Sequence, residues 1–246
     1  MKKSISLLVA VIVSTAGLNA ADQAVAAESA YNIPPGETRI ELDIIPGPSW
    51  KRIMWFGPIP VSKSPQVAAW VETIEGEFVA TLTVTSSTAR GKWIGNPEGG
   101  RPESLPVWLA ASKRKASGRA AAGTERRDNR IDAVSSPTPK VGLDIEQNVC
   151  TENGKNYRIF VEVNASFDYN KTWPKKAKPG ETAYSGVNGQ PSLVYAGSFT
   201  GGQKETVELR PIGTGSVDGR TGDITPGTAG LTSALEIINR ATATIR

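Results

Sequence analysis

Apolar and polar residues alternate along several short stretches of the chain, and this alternation predicts β-strands. Residues 38–45 place Ile40, Leu42 and Ile44 on one face of an extended segment. A longer stretch, residues 157–167, repeats the pattern with four apolar side chains: Tyr157, Ile159, Val161 and Val163. A period of two residues is typical of strands with one face in a core, so both stretches are predicted to be core strands.

Two further pairs of apolar stretches predict antiparallel hairpins. Residues 67–74 and 78–84 flank Glu75-Gly76-Glu77, whose central glycine suits a tight turn. Residues 191–196 and 204–210 are separated by a Gly-Gly pair, which also favours antiparallel pairing. The chain holds 25 Gly and 17 Pro, clustered between the apolar runs. We therefore predict a mostly β fold, an antiparallel β-sandwich of immunoglobulin or transthyretin-like type, with one or two short helices.

One segment changes character and is predicted to begin as a short helix. Pro106 is followed by Trp108 and Leu109, and proline suits the first turn of a helix. Residues 113–130 then carry seven basic and two acidic side chains, interleaved with Ala, Ser and Gly. We predict a solvated basic loop at about residues 110–130, with a patch for anionic lipid or another polyanion as the alternative.

The first 20 residues are predicted to be a cleavable Sec-type signal peptide. Two N-terminal lysines precede an uncharged stretch from Ile5 to Leu18, and cleavage is expected after Ala20 or alternatively after Ala27. The apolar stretch is shorter than the ~20 residues of a membrane-spanning helix, so an uncleaved anchor is the weaker interpretation. We expect residues 21–37 to be a flexible lead-in. The remainder, residues 38–246, is expected to be a single periplasmic domain with no integral membrane segment.

Composition excludes several kinds of chemistry. The chain has no histidine, which removes the usual catalytic triads, most zinc sites and the commonest general base. Cys150 is the one cysteine, so an internal disulfide is impossible, and a buried or half-buried residue at a strand end is expected. A formal charge of +4 falls to +2 if Lys2 and Lys3 leave with the signal. Such a weak charge predicts no nucleic-acid partner, and we assign neither a catalytic residue nor a metal ligand.

Aromatic residues and prolines are mixed in residues 50–65, which predicts a loop or an edge segment because proline cannot donate to a sheet. Trp50, Trp55 and Phe56 are candidate ligand-binding residues. The competing interpretation is that they plug one end of the sandwich. A pair of catalytic carboxylates is also permitted, although no spacing selects one from those available: Asp43, Asp132, Asp144, Glu162 and Asp168.

Several stretches carry a family resemblance: Pro65–Glu72 with Gly76 and Val79, Leu105 to Trp108, Asp132–Pro139, Gln190–Ala196, Leu209, Gly213, Gly215, Asp218, Gly219 and Leu231–Ala234. In this order they resemble the bacterial predicted periplasmic protein family, domain-of-unknown-function family 2271. The resemblance covers residues 38–246 and implies an exported protein with a β-sandwich fold. The family has no assigned activity, so the resemblance implies no catalytic residue.

Residues 132–138 also resemble the motif whose final threonine carries FMN, through a phosphoester, in periplasmic flavin-carrying domains. Thr138 would be the attachment residue. The sequence departs from the motif at Ser136 and Pro137, where glycine and alanine are expected, and Pro137 stiffens the loop. A proline-rich loop with no cofactor is the competing interpretation.

Taken together, these features favour a non-catalytic binding or accessory module in the periplasm. Its partner would be an unknown periplasmic protein or a small ligand. Two alternatives stay open: a redox accessory with covalent FMN at Thr138, and a carboxylate-dependent carbohydrate-active enzyme.

Overall fold

The computed structural model describes residues 36–90, 100–121, 135–136 and 142–246. The predicted signal peptide and Thr138 lie outside the described residues. Strands account for far more of the described residues than helices do, so the prediction of a mostly β protein is confirmed. The strands are β1 (Glu37–Pro46), β2 (Arg52–Phe56), β3 (Ile59–Lys63), β4 (Gln66–Thr73), β5 (Phe78–Thr85), β6 (Ser135–Ser136), β7 (Leu143–Cys150), β8 (Asn156–Asn164), β9 (Leu193–Thr200), β10 (Glu205–Thr214), β11 (Thr225–Pro226) and β12 (Ile238–Ile245).

The helices are α1 (Ser86–Arg90), α2 (Pro106–Ala121) and a short 3-10 helix at Ser233–Glu236. Helix α2 is longer than the sequence predicted. Residues 110–121, expected to belong to the basic loop, are helical, while residues 122–130 lie outside the described part of the chain. Alanine, lysine and arginine dominate residues 110–121, and their high helix propensities explain the correction.

The main sheet is one continuous path of strands that curls back on itself. Its order is β6-β5-β4-β8-β9-β10-β12-β1-β7, with β11 beside β10. Its described pairings are antiparallel except that of β5 with β6. Strands β5 and β7, from opposite ends of the path, contact each other. The sheet is therefore a nearly closed cylinder, and two separate layers are not clearly defined.

Strand β10 connects the two halves of this curled sheet. Residues 205–209 pair with β12, whereas residues 210–214 pair with β9. The register shifts between Pro211 and Gly213. Such a bulge bends a strand and increases its twist, which lets one strand serve both halves.

The predicted core strands are confirmed. Strand β1 covers the alternation at residues 38–45, and β8 covers most of residues 157–167. The hairpin predicted around Gly76 forms from β4 and β5, and the stretches on either side of the Gly-Gly pair form β9 and β10. The apolar faces of β1 and β8 lie in one cluster inside the cylinder: Ile40, Leu42, Ile44, Tyr157, Ile159, Val161 and Val163.

A second apolar cluster lies outside the cylinder, where α2 covers β4, β5 and β8. Trp108 of α2 is buried there with Trp70 of β4 and Phe160 of β8. The rings of Trp70 and Phe160 stack with their centroids 5.1 Å apart. Because the core covers one face of β4 and α2 covers the other, every residue of that strand is buried.

Residues 52–63 form a separate two-stranded hairpin of β2 and β3. Gly57 has a φ of +62°, which the first position of a two-residue type II′ turn requires. Both strands are edges, so Pro60 removes no hydrogen bond from a central strand. The prediction of an edge segment is confirmed, whereas the pairing of β2 with β3 in a hairpin was not predicted.

Cys150 is exposed, against the expectation of a buried or half-buried residue. It is the last residue of β7, where Val149 is the buried neighbour. Adjacent side chains in a strand point to opposite faces, so Cys150 faces solvent.

Candidate binding site

Three chain segments meet at one end of the curled sheet and line a half-open cleft of about 700 Å³. They are the segment before α2, the β8–β9 loop (residues 165–192) and the β10–β11 connection. The lining is mostly polar: Glu103, Glu181, Thr182, Tyr184, Ser185, Asp218 and Arg220, with Pro179, Gly180, Gly186 and Val217. The β8–β9 loop exceeds the ~12–15 residues beyond which an irregular loop is uncommon and usually functional.

Arg101 ties the β8–β9 loop to the segment before α2. Its side chain is 9% exposed and pairs through Nε with Glu103 at 3.2 Å. Its Nη1 donates to Ser166 Oγ at 2.8 Å, and its Nη2 donates to Asn188 Oδ1 at 2.5 Å. Burial lowers the pKa of Arg101, and Glu103 opposes that effect. The guanidinium therefore fixes both ends of the loop to one wall of the cleft.

Asn188 extends this attachment. It is completely buried, and its amide nitrogen donates to the backbone carbonyl of Glu103. Its own backbone carbonyl accepts the N–H of Asp168 at 2.9 Å. Asp168 and Gly189 form an isolated bridge, so the two arms of the loop are joined close to the sheet.

Asp168 connects the same loop to the β2–β3 hairpin. Its carboxylate is almost completely buried and accepts hydrogen bonds from Arg52 and from Ser233 Oγ, the latter at 2.6 Å. The preceding residue, Phe167, has a φ of +62°, a left-handed conformation that residues other than glycine seldom adopt. A charge removed from water needs such partners, so Arg52 and Ser233 determine where Asp168 lies.

Gln190 completes the network on the side of the 3-10 helix. Its Oε1 accepts the backbone N–H of Thr232 at 2.6 Å, and its Nε2 donates to Ser233 Oγ at 2.9 Å. Buried side-chain amides satisfied in this way restrain the backbone around them. The loop is thus attached at three places: the segment before α2, the hairpin and the 3-10 helix.

Glu162 is a buried carboxyl group outside the cleft, on the face of β8 that α2 covers. Its oxygens accept the backbone N–H of Val107 at 3.3 Å and of Trp108 at 2.8 Å. Ser192 Oγ donates to it at 2.6 Å. Burial raises the pKa of Glu162 to about 7, although these three hydrogen bonds oppose the rise.

The structure places two of the sequence-predicted aromatic candidates in different environments. Trp50 is in the core, whereas Trp55 is 68% exposed on the hairpin. Phe56 ends β2, and its side chain lies outside the described atoms. Thr138 lies outside the described residues, so FMN attachment there stays a prediction from the motif.

Sequence reasoning assigned no role in a binding site to the residues that organise the cleft. Arg101, Asn188 and Gln190 are polar residues in irregular segments, where no periodicity identifies a buried position. Asp168 was one of several available carboxylates without a distinguishing spacing. The one usable signal was the length of the irregular stretch between the strands that became β8 and β9.

Comparison with protein-family models, curated proteins and solved structures found no match. Among the described residues, no helix has the length and apolar character needed to cross a bilayer.

Proposed function

We propose that this protein is an exported, non-catalytic binding module whose cleft takes a polar, hydroxyl-rich small ligand such as an oligosaccharide. The carboxylates of Glu181 and Asp218 would accept hydrogen bonds from hydroxyl groups, and the guanidinium of Arg220 would donate them. Tyr184 is 37% exposed and offers an aromatic face beside these polar groups. A few polar groups in a concave site are what orients a small ligand.

The observation that carries this proposal is the anchoring of the cleft by buried polar side chains. Arg101, Asn188 and Asp168 fix the β8–β9 loop before any ligand arrives, which reduces the ordering cost of binding. The buried hydroxyl of Ser185, in the cleft wall, has no hydrogen-bond partner among the described residues. Such a group leaves hydrogen-bonding capacity unused beside the cleft.

The positions of the carboxyl groups with shifted pKa values favour a binding protein over a carboxylate-dependent carbohydrate-active enzyme. A glycosidase needs a general acid with a raised pKa next to its substrate. The raised pKa of Glu162 belongs to a side chain sealed beneath α2. At the cleft, hydrogen bonds from Ser216 and from the backbone of Arg220 lower the pKa of Asp218, which stays ionised.

The cellular location and the finer fold class belong to the same proposal. The signal-like residues 1–20 and the resemblance to the predicted periplasmic protein family support export to the periplasm. The apolar cluster holds side chains from both halves that β10 connects, which supports describing the curled sheet as a flattened sandwich of immunoglobulin or transthyretin-like type.

Isothermal titration of the full chain with a panel of neutral and acidic oligosaccharides tests the proposal. We expect at least one to bind, with Tyr184→Ala and Asp218→Asn weakening its affinity by about tenfold. Glu208→Gln removes an exposed carboxylate of β10 outside the cleft and should leave the affinity unchanged. Binding by no sugar of the panel contradicts the proposal, as does unaltered affinity in both cleft variants. Release of shortened sugars would overturn its non-catalytic part.

A further inference from the structure

The β2–β3 hairpin exposes an apolar face that the described residues leave open. Its register pairs Trp55 with Pro60 and Ile53 with Ser62, so these side chains share one face. Trp55 and Ile53 are each 68% exposed, and Pro60 and Ser62 are exposed beside them. Ile59, next to the turn, is 62% exposed but pairs with Phe56, so it lies on the opposite face of the hairpin. Large apolar side chains grouped in this way mark an interaction surface.

The chain segment that forms this hairpin is basic. The sequence contains no acidic residue between Asp43 and Glu72, whereas Lys51, Arg52 and Lys63 lie at the base of the hairpin. The hairpin therefore carries apolar side chains towards its turn and basic side chains where it joins the rest of the chain.

The β8–β9 loop, which Asp168 attaches to Arg52 of the hairpin, also carries basic residues. No acidic residue lies between Asp168 and Glu181. The lysines of this stretch are all exposed: Lys171, Lys175, Lys176 and Lys178. Clustered lysines attract anionic surfaces and repel a second copy of the same face.

We propose that the β2–β3 hairpin docks on the surface of an anionic phospholipid bilayer. Trp55 and Ile53 enter the boundary between headgroups and acyl chains, where tryptophan is favoured. Lys51 and Lys63 face the phosphates, and the lysines of the β8–β9 loop add long-range attraction. This docking does not depend on the cleft or on its ligand.

A fluorescent reporter on the hairpin tests the proposal. The full chain carrying Cys150→Ser receives Ile53→Cys, labelled with nitrobenzoxadiazole. We expect a blue shift with vesicles of equal parts phosphatidylglycerol and phosphatidylcholine, and none with pure phosphatidylcholine. The matched control is Ile74→Cys, since Ile74 is also exposed but lies beyond the end of β4 farthest from the hairpin. Both proteins carry residues 1–20, so any lipid contact of that segment is common to them.

Co-sedimentation with the same anionic vesicles supplies the second measurement. Ile53→Ser with Trp55→Ser should weaken partitioning by about tenfold, and Lys51→Gln or Lys63→Gln by about fivefold each. Ile74→Ser should have no effect, and circular dichroism checks that every variant is folded. If the serine variants fail to fold, the blue shift of the labelled Ile53→Cys protein decides whether the hairpin contacts the bilayer.

Three outcomes would overturn the proposal. The first is the absence of a blue shift at position 53, and the second is an equal shift at position 74. The third is a blue shift without vesicles that grows with protein concentration, which would make a second copy of the chain the occupant of the hairpin.

Discussion

Glu162 serves as the capping group of α2, although it belongs to a strand. The first N–H groups of a helix have no intrahelical partner, and a negative charge there complements the helix dipole. Glu162 accepts two of these groups, those of Val107 and Trp108. The cost of this arrangement is a carboxyl group fully removed from water, which is why its pKa rises to about 7.

Glu162→Gln is expected to remove part of the pH dependence of folding stability. The pKa is raised from 4.5 to about 7, so the folded protein holds a proton that the unfolded chain releases. The extra proton stabilises the folded state, and this contribution is complete below pH 4.5 and is lost as the pH rises through about 7. The wild type should therefore lose on the order of 3 kcal/mol across this window relative to the variant. Urea unfolding of both proteins at several pH values measures this difference, and parallel pH profiles would contradict it.

At the scale of single residues, the sequence predicted the apolar core positions and missed the buried polar ones. Ile159 and Val161 were identified because their spacing matches the pleat of a strand. Glu162 occupies an outward position of the same strand, which ordinarily faces water. It is buried because α2 packs there, and no local pattern reports that tertiary contact.

Among the elements, α2 packs closely against the connection between β10 and β11. Gly222 of that connection lies against Ala110 of the helix, where a Cβ on the glycine would collide with the Cβ of the alanine. The helix therefore stays close because one residue has no side chain. Well-packed contacts of this kind tolerate added atoms poorly.

Gly222→Ala is expected to destabilise the protein by about 1–3 kcal/mol, because the new methyl group forces α2 or the connection to move. Ala110→Gly should cost about 1 kcal/mol through lower helix propensity. The double variant should be more stable than the sum of the two effects predicts, since the second change frees the space the first needs. Urea denaturation of all four proteins completes the cycle. Strict additivity would show that the close approach carries no energy.

The β2–β3 hairpin shows why some elements escape sequence reasoning. Residues 50–65 contain too many prolines to resemble a strand of a sheet, and no strand of the main sheet includes them. They pair only with each other, which proline tolerates at edges. Helix α2 was underestimated for another reason, since its basic half lacks the apolar periodicity that predicts a packed helix.

At the scale of the whole molecule, the β2–β3 hairpin shares no sheet with the other described strands. The ion pair between Arg52 and Asp168 attaches it to the β8–β9 loop. Arg52→Met is expected to speed amide exchange in residues 52–63 while leaving β4 protected, because local opening needs only the hairpin to separate. Hydrogen–deuterium exchange with mass spectrometry measures both segments. Arg210→Met removes a pair that is exposed on both sides and should change neither. Uniformly faster exchange throughout the chain would contradict this prediction.

The closure of the main sheet could not be predicted from the chain. Alternation identifies strands and their buried faces, but β10 pairs with a different neighbour in each half of its length. The change of pairing partner occurs at a bulge between Pro211 and Gly213. The direction in which a bulge bends a strand depends on the strands packed around it. The mostly β class was therefore predictable, whereas the nearly closed cylinder was not.

The anchors of the β8–β9 loop lie at its two ends, at residues 166–168 and 188–190. Between residues 174 and 184, the described backbone hydrogen bonds stay within the segment. The residues in the middle of the loop can therefore change without disturbing the anchors at its ends. Evolution or an engineer could rewrite its residues, and with them the recognition properties of the cleft, while the framework that presents them stays intact.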